Sequence, residues 1–146
     1  MFVDRLLVAS RVLLTVTARS LAAIGDEVTI PQFRALVILS SYASQTMGEL
    51  AEALDVHPST ATRMCERLEA KELVARSVGR TRRQVDVTLS NDGRALVRKV
   101  TRKRRREISQ IVVKMDPRAR EAVIEGLLEF ATAAGEPPVR ASEWLA

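Results

Sequence analysis

Cysteine, histidine and aromatic residues are scarce in this chain, and each scarcity excludes something. A single cysteine, Cys65, cannot form a disulfide within the chain or a cysteine-rich zinc site. A single histidine, His57, removes the basis for a histidine metal site or a Ser-His-Asp triad. Ser59 has no base within reach except His57, and no acidic pattern orients that histidine. No enzyme activity, no metal site and no cofactor is therefore expected. Aromatic residues make up 3% of the chain, so the core must rest on leucine, valine, isoleucine and alanine. The longest apolar run, residues 35–39, is far shorter than the roughly 20 residues that cross a bilayer. Asp4 and Arg5 stand where the apolar stretch of a cleavable signal would begin. Together these absences point to a cytoplasmic protein in a reducing compartment, with no membrane partner.

The chain has 146 residues, the size of one domain with a core that needs no covalent staple. Its apolar fraction of 47% and charged fraction of 28% are ordinary for a globular protein. The placement of charge is not ordinary. Residues 58–106 hold 15 basic and 5 acidic side chains, whereas the rest of the chain holds 8 basic and 13 acidic. A basic middle between acidic ends suggests a face built for a polyanion. The plain alternative is a solvated charged surface.

Hydropathy patterning predicts a long first helix over residues 2–24, with Leu7, Leu14 and Leu21 on one stripe. Such a terminal apolar helix suits a subunit interface, or packing on its own domain. A helix of about three turns follows Thr29-Ile30-Pro31-Gln32, with Pro31 suited to its first position. Thr46-Met47-Gly48-Glu49 has the pattern of a capping box opening a short helix over residues 47–54. Asp55-Val56-His57 forms a tight connection, and Pro58 starts a helix to about residue 71. Residues 73–78 and 84–89 are the two strands of a hairpin; Val85, Val87 and Leu89 alternate with polar residues in the second. A long helix follows Ser90 to about residue 113, and a last one runs from Asp116-Pro117 to about residue 133. Val123, Ile124, Leu127, Leu128 and Ala131 form its apolar stripe. A helix-turn-helix followed by a hairpin is a winged helix.

On a helical wheel, Ala61, Met64, Cys65 and Leu68 form the core stripe of the segment after Pro58. Arg63 falls opposite, Ser59, Thr60 and Arg67 flank it, and Thr62 lies on the shoulder. A helix with hydroxyls and an arginine near its N-terminal end suits the DNA major groove, where arginine can bind guanine with two hydrogen bonds. Arg80, Arg82 and Arg83 crowd the hairpin tip, where they can reach a minor groove or flanking phosphates.

These segments resemble the MarR-type (multiple antibiotic resistance regulator) winged-helix transcription factors. The likeness rests on Thr29-Ile30-Pro31-Gln32, Met47-Gly48-Glu49-Leu50-Ala51 and Pro58-Ser59-Thr60-Ala61-Thr62-Arg63-Met64. It continues through Arg67-Leu68-Glu69-Ala70-Lys71-Glu72-Leu73-Val74 with Arg76, then Arg82-Arg83 and Leu89-Ser90-Asn91-Asp92-Gly93-Arg94. It covers roughly residues 3–133. The resemblance implies a mainly α fold with a small β-hairpin wing, assembled as a homodimer through its terminal helices. It implies binding of pseudo-palindromic double-stranded DNA, most often as a repressor released by a small-molecule effector or by thiol oxidation. Residues 1–146 would then be one winged-helix regulator, with dimerisation helices in 1–30 and 114–134. Residues 31–90 would form the DNA-binding part, 91–113 a long connecting helix, and 135–146 a loosely ordered tail.

Carried over to this chain, Ser59, Thr60, Thr62 and Arg63 match recognition-helix positions, and Arg82 and Arg83 match the wing arginines. His57 stands where the family often has a capping aspartate, Thr81 where the wing often has an acid, and Glu72 where a left-handed glycine often precedes the first wing strand. Cys65 lies on the core stripe, away from the first helix where redox-sensing members carry their cysteine, so it is expected to be structural. Arg102-Lys103-Arg104-Arg105-Arg106 spans every face of its helix. Its plain role is a solvated belt paired with Glu107 and acids of the last helix. Its sharper role is a lining, through Arg102, Arg105 and Arg106, for a small anionic or aromatic effector. The residues alone also leave open a DNA binder without operator specificity, or a winged-helix module whose basic face meets an acidic protein.

Overall fold

The computed structural model describes residues 1–25, 28–79, 81 and 84–136. Among these are six helices and three short strands. They run α1 (Phe2–Ala22), α2 (Ile30–Ser40), β1 (Gln45–Thr46), α3 (Met47–Ala53), α4 (Pro58–Ala70), β2 (Val74–Val78), β3 (Val85–Leu89), α5 (Asn91–Val112) and α6 (Pro117–Ala133). The core is organised around α2, which buries Phe33, Ala35, Leu36, Ile38 and Leu39. Leu50, Leu68, Val87, Leu96 and Val100 close on it from α3, α4, β3 and α5. Each such side chain contributes about 1.5–3 kcal/mol by leaving water.

The box at Thr46 forms as its sequence requires: Glu49 N donates to Thr46 Oγ1 at 3.2 Å, and Thr46 N donates to Glu49 Oε2 at 2.7 Å. The bond from the Thr46 N–H holds the Glu49 carboxyl below its ordinary range. A second box opens α2. Gln32 N donates to Thr29 Oγ1 at 3.3 Å, and Thr29 N donates to Gln32 Oε1 at 3.0 Å. Thr29-x-x-Gln32 carries the same signature as Thr46-x-x-Glu49. The helix consequently starts at Ile30, and Pro31 takes its second position rather than its first.

The sheet is larger than a hairpin. It has three antiparallel strands in the order β1-β3-β2, with Gln45 opposite Val87 and Thr46 opposite Asp86. A two-residue strand carries no period-two signal, so only the tertiary contact reveals β1. Val87 and Leu89 are buried, but Val85 is 40% exposed and does not share their environment. It pairs with the still more exposed Val78 at the tip end of the ladder, beyond the helices that cover the sheet.

Glu72, just before β2, adopts φ +59, the left-handed region where glycine is favoured. Left-handed geometry costs a residue with a Cβ about 1–2 kcal/mol, and glycine's greater unfolded entropy offsets about 0.5–1 kcal/mol of any relief. Glu72→Gly should therefore stabilise the fold by about 0.5 kcal/mol. A melting temperature equal to or below that of the wild type would show this turn to be unstrained.

The ends of the chain are built differently. In α1 only Val16, Ser20 and Leu21 are buried, and Leu7 and Leu14 of the seven-residue stripe are exposed. Helix α6 buries none of its residues, and Val123, Ile124, Leu127, Leu128 and Phe130 lie open to solvent. Just past it, Glu136 accepts a two-pronged bond from Arg34 of α2, at 2.6 Å on both prongs.

Candidate nucleic-acid interface

Helices α3 and α4 form the helix-turn-helix. The turn is made by Asp55 at φ +52, and Val56 N donates to Ala51 O at 3.0 Å across it. Leu50 and Ala51 on one helix, and Ala61, Cys65 and Leu68 on the other, are all buried. That fixes the rotation of α4. Ser59, Thr60, Arg63 and Arg67 are exposed on its outer face, as the wheel predicts. Thr62 is half-buried, and its hydroxyl donates to Pro58 O at 2.9 Å. Its proton is thus spent on its own helix, which leaves Thr62 the least available of the predicted contacts.

His57 caps α4 as its position requires. Ser59 N donates to the ring Nδ1 at 3.3 Å, and Ser59 Oγ lies 2.8 Å from the same nitrogen. The first bond is long, as expected for an imidazole standing in for a shorter capping side chain.

Arg76, which the resemblance includes without assigning it a role, ties the wing to this helix. Arg76 of β2 donates through Nε to Glu69 Oε2 at 2.6 Å, and its Nη1 lies 3.8 Å from Glu66. The Arg76 guanidinium holds the Glu69 carboxyl below the ordinary glutamate range. The stability from this pair is therefore present above the unfolded value of about 4.3 and lost as pH falls through the lower folded value. Glu69→Gln should flatten the decline in stability between about pH 5 and pH 3. Equal declines in the two proteins would show that the pair contributes nothing.

A model of the MarR family matches residues 28–80. The transcriptional repressor MdtR of Bacillus subtilis is 39% identical over 67 residues, a match spanning 45% of this chain and only 43% of that repressor. The crystal structure of RV1404 from Mycobacterium tuberculosis matches over 95% of both chains, at 43% identity and a TM-score of 0.87. A MarR family protein from Bacillus stearothermophilus matches over 91% of this chain and 93% of that one, at 25% identity and a TM-score of 0.79. The chain belongs to the MarR family. This is a family of winged-helix transcriptional regulators, not of enzymes.

Against the MarR pattern, the wing tip differs at Thr81. Its hydroxyl donates to Gln84 Oε1 at 3.2 Å, and Gln84 N donates to Thr81 O at 2.9 Å. The tip is thus closed by a neutral pair in place of an acid. The three wing arginines, Arg80, Arg82 and Arg83, lie outside the described residues.

Cys65 is fully buried, and burial pushes its thiol up to about 11. Near neutral pH it is a thiol packed among apolar side chains, unlike the exposed thiolates that react with oxidants. The basic run of this MarR chain lies along α5. Arg102, Arg105 and Arg106 line an open crevice of about 500 Å³ together with Ser109, Gln110 and Val113. Arg104 turns to an adjoining crevice of about 420 Å³ with Ile108 and Val112. Burial lowers its pKa, and its Nε has no hydrogen-bond partner among the described residues. Glu107 faces Arg19 of α1 at 3.5 Å. No described helix is long and apolar enough to cross a membrane.

Proposed function

We propose that this protein is a sequence-specific repressor that binds pseudo-palindromic operator DNA as a homodimer in the cytoplasm and is released by a small effector. The observation that carries this is the outer face of α4. Burial of Ala61, Cys65 and Leu68 leaves Ser59, Thr60, Arg63 and Arg67 directed outward on one surface. Arg63 is the base reader, Ser59 and Thr60 supply hydroxyls, and Thr62 contributes from the shoulder. Arg80, Arg82 and Arg83 add wing contacts that depend little on sequence. Residues 31–90 act as the DNA-binding part and 91–113 as the connecting helix.

The dimer reading rests on the ends of the chain, residues 1–30 and 114–134. Leu128 is 66% exposed and Ile124 59%, and Leu7 and Leu14 are open on α1. A monomer rarely leaves so many large apolar side chains uncovered on two helices. Leu128→Asp should leave the helical content of each chain intact, because that side chain buries nothing within it. It should convert dimer to monomer at micromolar concentration, read by sedimentation. A dimer of wild-type affinity would remove α6 from the interface.

The effector reading rests on the α5 crevices. A partly buried guanidinium such as Arg104, without a satisfied Nε, favours an anion nearby. The neighbouring Arg102, Arg105 and Arg106 add positive potential, so an aromatic carboxylate suits the site. Salicylate should weaken operator binding, and an unchanged affinity at millimolar ligand would count against the site.

The test of the whole reading is fluorescence anisotropy on DNA upstream of the protein's own gene, at physiological salt with excess random competitor. Competitor-resistant binding supports an operator-specific regulator. Binding that competitor abolishes there, and in a random-sequence selection, would mean a nonspecific DNA binder. No DNA binding even at low salt would turn the basic face toward an acidic protein.

A further inference from the structure

A crevice of about 360 Å³ separates the start of α2 from the outer face of α4. Thr29 and Gln32 line one wall, and Thr60, Arg63 and Arg67 line the other. Gln32 is the informative residue. It is only 7% exposed, and its Oε1 is fixed by the bond from Thr29 N at 3.0 Å. That bond determines which way the amide is turned and leaves the NH2 end without an acceptor among the described residues. The NH2 end is therefore the part of this mostly buried side chain that opens onto the crevice, where it can donate to whatever enters. Across from it, neither Arg63 nor Arg67 has an acidic partner among the described residues. The first turn of α2 itself carries no acidic side chain to offset its positive end. Apart from the threonine hydroxyls and the Gln32 Oε1 already engaged by Thr29 N, the polar groups of the crevice are donors. The fitting occupant is an anion that only accepts.

We propose that this crevice seats a backbone phosphate of the DNA, held between the Gln32 amide and the Arg67 guanidinium. The inference rests on the DNA-binding reading above and extends the footprint from α4 to the start of α2. It also divides the arginines of α4 by role. Arg63 reads a base, whereas Arg67, one turn further along, holds the phosphate. A phosphate contact carries no sequence information, but it fixes the height and register of the recognition helix in the groove.

The test uses the full-length protein and Gln32→Glu. A glutamate at this position preserves the capping box, so the melting temperature should not fall. It replaces the free NH2 with a carboxylate oxygen that repels phosphate. Affinity should fall roughly tenfold on operator and on random DNA alike, leaving their ratio unchanged. Arg67→Ala should do the same and make the salt dependence shallower by about one unit of slope. A neutral methylphosphonate moved along one half-site should then find one position where wild type loses its tenfold and Gln32→Glu loses nothing more.

Wild-type affinity in Gln32→Glu would overturn the proposal. So would equal losses in both proteins at every methylphosphonate position, the result expected if the crevice takes only a free phosphate ion. Failure of the wild type to bind any DNA at low salt would overturn the function itself, which the other outcomes leave standing.

Discussion

Arg63→Ala should lower affinity for the operator by roughly 5- to 150-fold, equivalent to about 1–3 kcal/mol, with little change on random DNA. Arg63 lies opposite the buried Ala61–Cys65–Leu68 stripe, near the end of α4 that enters a groove first in a helix-turn-helix. Its guanidinium has no acidic partner among the described residues, so no ion pair must break before it meets DNA. The stability of the fold should not change, because the side chain is exposed. Two recognition helices in a dimer would sit about one DNA turn apart, so preference should relax at one base pair in each half-site, with centres near 10 bp apart. The readout is competition anisotropy against single-base operator variants. Equal losses on operator and random DNA would reassign Arg63 to the phosphate backbone.

Gly93→Ala should destabilise the fold by about 3 kcal/mol or more, the largest single effect on stability expected here. Gly93 sits in the first turn of α5, pressed against the turn that enters β2. A Cβ there would overlap the carbonyl oxygen of Leu73 and lie 2.8 Å from Leu89 Cδ1. The nearest obstacle is backbone, which cannot rotate away. It is also tied in place. Ser90 N donates to Leu73 O at 3.1 Å, Ser90 Oγ donates to Glu72 O at 2.6 Å, and Gly93 N donates back to Ser90 Oγ at 2.9 Å. A methyl group must therefore push the start of α5 off the base of the wing.

Gly126→Ala provides the contrast. Nothing lies within 4 Å of its Cβ position on α6, so it should stabilise by up to about 1 kcal/mol through helix propensity. Chemical denaturation compares the two directly. A Gly93→Ala protein within about 0.5 kcal/mol of wild type would show that this joint is loose.

Most elements were legible in the chain because each carries a local signal. Thr46 and Glu49 announce the start of α3, Pro58 that of α4, Ser90 that of α5 and Asp116-Pro117 that of α6. The outer face of α4 was equally legible, because a period of 3.6 separates Ala61, Cys65 and Leu68 from Arg63 without knowledge of the partner. Elements without a local signal were not. Strand β1 is two residues long and exists only because β3 offers an open edge. Val85 shares the period of Val87 and Leu89, yet periodicity does not say how far along a strand the covering helices reach.

The candidate site divides the same way. Composition and spacing by themselves determined a winged helix with a basic middle, and they picked out Arg63 and Arg67 by residue type and position on the wheel. Only the tertiary structure decided that Arg76 braces α4 through Glu69, that Gly93 lies against Leu73, and that Gln32 opens onto the crevice facing Arg67. The physical reason is distance along the chain. Caps and periods join residues within a turn or two of each other, whereas Gln32 and Arg67 come to line one crevice only after α2 and α4 have packed on a common core.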